Sequence, residues 1–211
     1  MALLKVQPGD VIGVPAAKND EWGFVMARVI RDDVVTLIEV FSDFCTNFAI
    51  PEKEVLQKNF SRNNRLFNPV NASFDFNGHF GKIKWPILAK TPGYDPEQSK
   101  ISEIEFEGTS YEETGHYLKG GKEYRDPPHI RRDLELRTIY SNPQLVHHIN
   151  MYLTGYAKKG EAWTIGLERS ILETRGMDWW LESIRACKMS ADEVAKRFQD
   201  ARKRRQASRI G

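Results

Sequence analysis

The sequence has few of the features that assign a protein to a chemical class at once. Its 211 residues include only two cysteines, Cys45 and Cys187, which stand far apart and in no metal-ligand spacing. Two isolated cysteines are typical of a reducing compartment, where a free cysteine is usually a small buried apolar residue. The sequence alone leaves a single bridge between them open.

Long apolar runs are also missing. The first residues, MALLKVQPGD, hold only a three-residue apolar run before Lys5, whereas a secretory signal needs about 7–15 apolar residues. No stretch approaches the roughly 18 apolar residues of a membrane span. We therefore expect a cytoplasmic protein with no membrane anchor.

Motifs that carry catalysis are absent as well. The chain contains no HExxH, CxxC, GxSxG or P-loop pattern. His147 and His148 are adjacent on a predicted helix, so they point about 100° apart and cannot chelate a metal as an i, i+4 pair does. We expect no catalytic residue, no metal and no cofactor, and hence a protein that is not an enzyme.

Charge is balanced overall but uneven along the chain. The net charge of +2 points to no particular partner. Between residues 95 and 113, seven acidic residues oppose Lys100. On a strand, Glu103, Glu105 and Glu107 would share one face. This pattern is typical either of a solvated edge strand whose like charges resist pairing or of a carboxylate surface for a basic partner.

The C-terminal run has the opposite sign. Within residues 194–211, seven basic residues oppose Asp200. Cations near the end of a helix are favoured by its dipole, and such tails are often simply solvated. A basic run can also neutralise phosphates, which makes a nucleic-acid-binding module the alternative function. The side chains concerned are Arg202, Lys203, Arg204 and Arg205.

The first ninety residues predict strands. Pro8-Gly9-Asp10 predicts a turn, and the apolar run that follows should end at Pro15. Residues 22–30 and 34–41, joined by a short polar connection, predict a hairpin. In the first of these strands Trp22, Phe24, Met26 and Arg28 should share one face and Gly23, Val25, Ala27 and Val29 the other. Residues 81–88 predict a further strand, in which Pro86 suggests an edge position or a bulge.

The rest of the chain divides into two parts. Residues 93–136 are rich in acidic residues, glycine and proline and predict a long connecting segment. Residues 137–211 predict three or four helices. One begins at Asn142-Pro143 and is capped by Gly155, two more fall in 161–175 and 178–187, and a capping box at Ser190 precedes a last helix with the stripe Val194, Phe198 and Ala201.

Three segments together resemble a known pattern. They are GDVIGVP at residues 9–15, WGFVMARV at residues 22–29 and LIEVF at residues 37–41, followed by a later Trp strand near Trp85. In this order they are similar to the immunity protein 26 family of bacterial polymorphic toxin systems, over about residues 5–92. The resemblance implies a cytoplasmic protein that binds a cognate toxin domain and neutralises it by stoichiometric inhibition. It carries over no fixed binding residues.

We therefore predict an α+β protein with three parts. Residues 1–92 should form a strongly bent antiparallel sheet or a small SH3-like barrel, residues 93–136 a connecting segment, and residues 137–211 a helical cluster. Charge and aromatic character suggest toxin-binding residues, with acidic side chains at the rim and exposed aromatic rings at the centre. The residues chosen are Glu103, Glu105, Glu107, Glu112, Glu113, Phe44 and Phe74.

Overall fold

The structure is a computed structural model. It describes residues 6–18, 21–32, 36–72, 85–107, 116–119, 122–125, 135–136, 139–140, 142–155, 193–194 and 196–208. The strands are β1 Asp10–Lys18, β2 Glu21–Asp32, β3 Thr36–Cys45, β4 Val70–Ala72, β5 Ile87–Lys90, β6 Glu105–Glu107, β7 His116–Lys119, β8 Lys122–Arg125, β9 Glu135–Leu136 and β10 Ile139–Tyr140. The helices are α1 Glu52–Leu56 and α2 Asn142–Leu153, and residues 193–194 and 196–207 are also helical.

The main sheet contains five antiparallel strands in the order β4-β3-β2-β1-β5, and β10 joins β4 in parallel. The predicted hairpin is confirmed as β2 and β3, which pair antiparallel. The predicted edge position next to Pro86 is confirmed too, because β5 is the last strand of the sheet. In the described part of the chain β5 and β10 are two open edges, so these strands do not close into a barrel.

Both faces of the main sheet are covered. Val25, Ala27 and Val29 of β2 belong to a core that includes α2. Phe24 and Met26 of the same strand belong to a second core with α1 and the C-terminal helix. The predicted division of this strand into two faces is therefore confirmed. An antiparallel sheet combined with separate helices makes the protein α+β.

Pro15 does not end the first strand, and this prediction was wrong. Strand β1 continues to Lys18, and Pro15 pairs with Phe24 of β2. On the other side of β1 the Gly13 N–H donates to Pro86 and the Ala17 N–H donates to the Asn150 side chain. The nitrogen of Pro15 lies between them on that same side of β1 and not on the side that pairs with β2, so the pairing of β1 with β2 loses no donor.

Helix α2 has the predicted start and end. It begins at Asn142, and Gly155 follows it with a φ of 78°. The Gly155 N–H donates to Tyr152 at 3.2 Å, which caps the last turn. Leu145, Val146 and Ile149 are buried against the sheet. The helices predicted at 161–175 and 178–187, and the capping box at Ser190, lie outside the described residues.

The segment 93–136 contains regular structure. Two 3₁₀ helices, Pro96–Ser99 and Ile101–Glu103, lead into a second sheet in the order β8-β7-β6-β9. Ile101 and Ile104 pack against Ile30 and Leu37 of the hairpin. A spacing of three places both isoleucines on one side of a 3₁₀ turn, which explains how this polar segment still attaches to the main sheet.

Candidate functional site

A buried charged cluster lies at the centre of the hairpin. We use the term buried cluster for Arg28, Glu39, Arg65 and Ser99, whose side chains are almost completely buried. Strand β2 supplies Arg28 and strand β3 supplies Glu39, and the two residues are paired across the hairpin. Arg65 and Ser99 come from the two loops that cross this face of the sheet.

Both oxygens of the Glu39 carboxylate accept hydrogen bonds. Arg28 Nε donates to Oε1 at 2.7 Å and Arg65 Nε donates to Oε2 at 2.7 Å. Ser99 Oγ also donates to Oε1 at 2.6 Å. Charge-assisted bonds of this kind are the strongest that side chains make. The acceptor capacity of Glu39 is therefore committed to holding the cluster together.

The two guanidinium groups also tie down the loops. Arg28 donates to the backbone carbonyl of Phe60 at 3.1 Å, and Arg65 donates to that of Ser99 at 2.7 Å. The loops at 59–64 and 91–103 are thus fixed to the sheet by buried bonds. Loops held in this way on a rigid scaffold are the usual place for a binding surface.

Aromatic rings surround the Arg28 guanidinium. Its central carbon lies 4.8 Å from the ring centroid of Tyr94, 5.4 Å from that of Phe60 and 5.7 Å from that of Phe41. Cation–π attraction at these distances stabilises a desolvated cation. Phe60 and Tyr94 are both half-buried residues.

Tyr94 joins the cluster through its hydroxyl, which lies 2.6 Å from Ser99 Oγ. Burial raises the pKa of Tyr94 above its ordinary value of 10.0, and the bond to Ser99 opposes that shift. Gly9 makes room for this residue: a Cβ there would lie 2.7 Å from the Tyr94 Cβ, and the backbone of Gly9 has a φ of 87°. Only glycine satisfies both conditions without strain.

The loop surface is the name used here for the exposed and half-buried side chains of residues 59–64 and 91–103. At its rim Arg62 and Glu103 form an ion pair of 2.7 Å, and both side chains are at least half exposed. Asn64 links the rim to β3 by donating to Asp43 at 3.2 Å. Half-buried aromatic rings inside a polar rim are the arrangement that protein interfaces use.

Comparisons with known proteins give no assignment. No family model, no curated protein and no solved structure matches this chain. The resemblance of residues 5–92 to an immunity family therefore stays a prediction.

The structure corrects the prediction made for the acidic strand. Glu103 belongs to a 3₁₀ helix and not to a strand, because the chain turns at Lys100, whose φ is 55°. Glu105 and Glu107 lie on β6, which pairs with β7 on one side and β9 on the other. The strand is thus an inner one, so the edge-strand alternative was wrong, and the alternative of a carboxylate surface for a basic partner stays a prediction.

Two of the predicted contact residues, Phe44 and Glu103, lie on opposite faces of the main sheet. Phe44 packs on the face of the sheet that α2 covers, whereas Glu103 follows Ile101, which packs on the opposite face. Phe44 and Glu103 therefore do not belong to one surface. Glu112, Glu113 and Phe74 lie outside the described residues.

The basic residues at 202–205 lie at the exposed end of the C-terminal helix. The C-terminal helix docks on the sheet through Val194 and Phe198, and Ala201 is half-buried, which confirms the predicted stripe. The four side chains beyond it are exposed without exception: Arg202, Lys203, Arg204 and Arg205.

Sequence reasoning missed the buried cluster, although a signal was present. Arg28 and Glu39 each lie in the interior of a predicted strand, and the residues directly before and after each of them are apolar. A charge in the middle of a buried strand requires a partner, since an unpaired buried charge costs several kcal/mol. Nothing in the sequence pointed to Arg65 or Ser99, which reach the cluster from distant loops.

The described residues contain neither a metal-binding cluster nor a helix that could span a membrane. No group of three or more His, Cys, Asp or Glu side chains there is arranged to hold a metal ion. No helix in that part of the chain has the length and apolar character needed to cross a membrane.

Proposed function

We propose that this protein is a cytoplasmic immunity protein that binds a toxin domain through the loop surface and inhibits it stoichiometrically. The observation that carries the proposal is the combination of two half-buried rings, Phe60 and Tyr94, with an exposed Arg62–Glu103 pair on loops fixed by the buried cluster. A fixed surface loses little conformational freedom on binding, which favours affinity.

The residues that carry the family resemblance support the fold behind this surface. Gly9 gives space to Tyr94, and Arg28 holds Phe60. Gly23 allows β2 to approach β3 closely, because a Cβ there would overlap the Cys45 carbonyl oxygen. The segments that carry the resemblance thus form the scaffold, and the side chains of the loop surface determine which toxin is bound.

The resemblance also predicts a strongly bent sheet. Two register shifts between β2 and β3, at Val25/Ala27 and Val29/Arg31, support this part of the proposal. Irregular pairing of this kind increases local twist and bends a strand.

The proposal is tested by co-expression with toxin domains of polymorphic systems in a bacterial host. Growth is rescued when the chain binds its cognate toxin, and the pair is then recovered as a 1:1 complex. The informative variant is Arg62→Glu with Glu103→Arg. This exchange keeps an opposite-charge pair at the same place, but it reverses the charge pattern that a partner meets.

We expect the exchange to weaken toxin binding at least tenfold and to leave the urea midpoint unchanged. The matched control is Lys53→Glu with Glu54→Lys on α1, where both side chains are exposed and the net charge is also preserved. If every toxin domain kills equally with and without the chain, the immunity function is wrong. If rescue occurs but the rim exchange does not weaken it, the loop surface is not the contact.

A further inference from the structure

The exposed end of the C-terminal helix is a second charged surface. Residues 202–205 read Arg-Lys-Arg-Arg, and the whole stretch 202–208 is exposed. Neighbouring positions on a helix differ by about 100°. Arg202 and Arg204 therefore project about 200° apart, and so do Lys203 and Arg205. The four cations form two nearly opposite pairs and surround the helix.

The beginning of the same helix is firmly seated. The ring of Phe198 lies 4.8 Å from that of Phe24 and 5.1 Å from that of Phe48, measured between centroids. Gly13 of β1 leaves space for it, since a Cβ there would lie 3.0 Å from the Phe198 ring. Arg197 adds a cation–π contact with Trp22 at 5.8 Å. The basic end is thus held out from the sheet on an anchored helix.

A helix with cations on all sides fits a ligand that is anionic on two sides. A flat acidic protein surface would reach only about half of the four cations. Anionic membranes bind helices that also carry an apolar face, and the only apolar residue among 202–208 is Ala207. The phosphate chains on the two sides of a nucleic-acid groove match the observed arrangement.

The dimensions favour B-form DNA. A helix with its side chains is about 10–12 Å across, and the major groove of B-DNA is about 12 Å wide. The major groove of duplex RNA is deep and narrow and does not admit side chains in this way. Arginine, which supplies three of the four cations, binds phosphate oxygens in a bidentate manner.

We propose that residues 202–208 bind the phosphate backbone of duplex DNA from within the major groove. This activity is independent of toxin binding, because the loop surface contributes no residue to it. Binding is driven by counterion release, with a salt slope of about −0.9 for each phosphate neutralised. Four contacts predict that affinity falls roughly 100-fold between 50 and 200 mM salt.

The test is fluorescence anisotropy of the full chain with a labelled 20-base-pair DNA duplex at these two salt concentrations. The variant replaces Arg202, Lys203, Arg204 and Arg205 by Gln. We expect it to lose most of the affinity at low salt and nearly all of the salt dependence. Its circular dichroism and urea midpoint should match the wild type, since all four side chains are exposed.

The matched control replaces Lys18, Lys53, Lys58 and Lys90 by Gln, which removes the same net charge elsewhere. It should bind DNA within about twofold of the wild type. Equal losses in both variants, or an unchanged affinity of the helix variant, would overturn the proposal. Duplex RNA or phosphatidylserine vesicles bound as tightly as DNA would contradict the groove geometry.

Discussion

Replacing Glu39 by Gln is the most direct test of the buried cluster. The substitution keeps the size of the side chain but removes its negative charge. Two guanidinium groups would then face each other with no anion between them, in a place where both are only 6% exposed. One end of the new amide is a donor, and it would meet Arg28 Nε or Arg65 Nε, each of which now donates at 2.7 Å.

The expected cost is about 3–5 kcal/mol of the free energy of unfolding, which is typical when one partner of a buried ion pair is removed. Proteins are stable by only about 5–15 kcal/mol, so this is a large fraction. With a urea dependence of about 2 kcal/mol per molar, the midpoint should fall by roughly 2 M. Tryptophan fluorescence during urea unfolding measures the change.

Two companion variants make the result interpretable. Glu103→Gln is the same chemical change in an exposed ion pair and should cost at most about 1 kcal/mol. The triple change Arg28→Met, Glu39→Leu and Arg65→Met removes all three charges together and should recover most of the stability lost by Glu39→Gln. The reasoning is refuted if Glu39→Gln costs less than about 1 kcal/mol or if the triple variant is the least stable of the set.

Three further predictions concern other parts of the protein. Burial, together with the neighbouring His148, lowers the pKa of His147 from 6.5 to about 4. Between these pH values the unfolded chain binds more protons than the folded protein, so the free energy of unfolding should fall by about 2 kcal/mol from pH 7 to pH 5. Urea titrations at the two pH values should show this loss, and His147→Gln should abolish it. Phe198→Ala should cost about 2–4 kcal/mol and speed tryptic cleavage of the C-terminal helix; equal cleavage rates would show that this ring does not anchor it. Gly23→Ala should cost at least about 2 kcal/mol, since its Cβ overlaps the Cys45 carbonyl oxygen, and an unchanged melting temperature would contradict the close approach of β2 to β3.

Patterns of neighbouring residues correctly predicted those features of the fold that depend only on neighbouring residues. The alternation in β2 gave its two faces correctly, because the side chains of a strand alternate whatever the strand packs against. The start and end of α2 followed from Asn142-Pro143 and Gly155 in the same way. The prediction that the first strand ends at Pro15 was wrong. A proline is excluded from a strand only where its missing N–H would face a paired neighbour, and the sequence does not show which way it faces.

Contacts between segments that are distant in the chain could not be predicted from the sequence. Arg65 and Ser99 are 26 and 60 residues from Glu39, and no local pattern links them. Strands β9 and β10 have only two residues each, too few to show a period of two. The candidate site depends on such contacts, so Tyr94 and Arg62 were not predicted, while Phe44 and Glu103, which were, lie on opposite faces of the sheet.

Three positions of β1, namely Gly13, Pro15 and Ala17, affect how readily the protein aggregates at high concentration. A bare strand edge is normally a template on which another chain can add, and this leads to aggregation. From Gly13 to Ala17 the outward donors are either used or missing: Gly13 donates to Pro86, Pro15 has no N–H, and Ala17 donates to Asn150. These three positions therefore offer no free backbone donor to an incoming strand, which lowers the tendency of this part of β1 to pair with another chain.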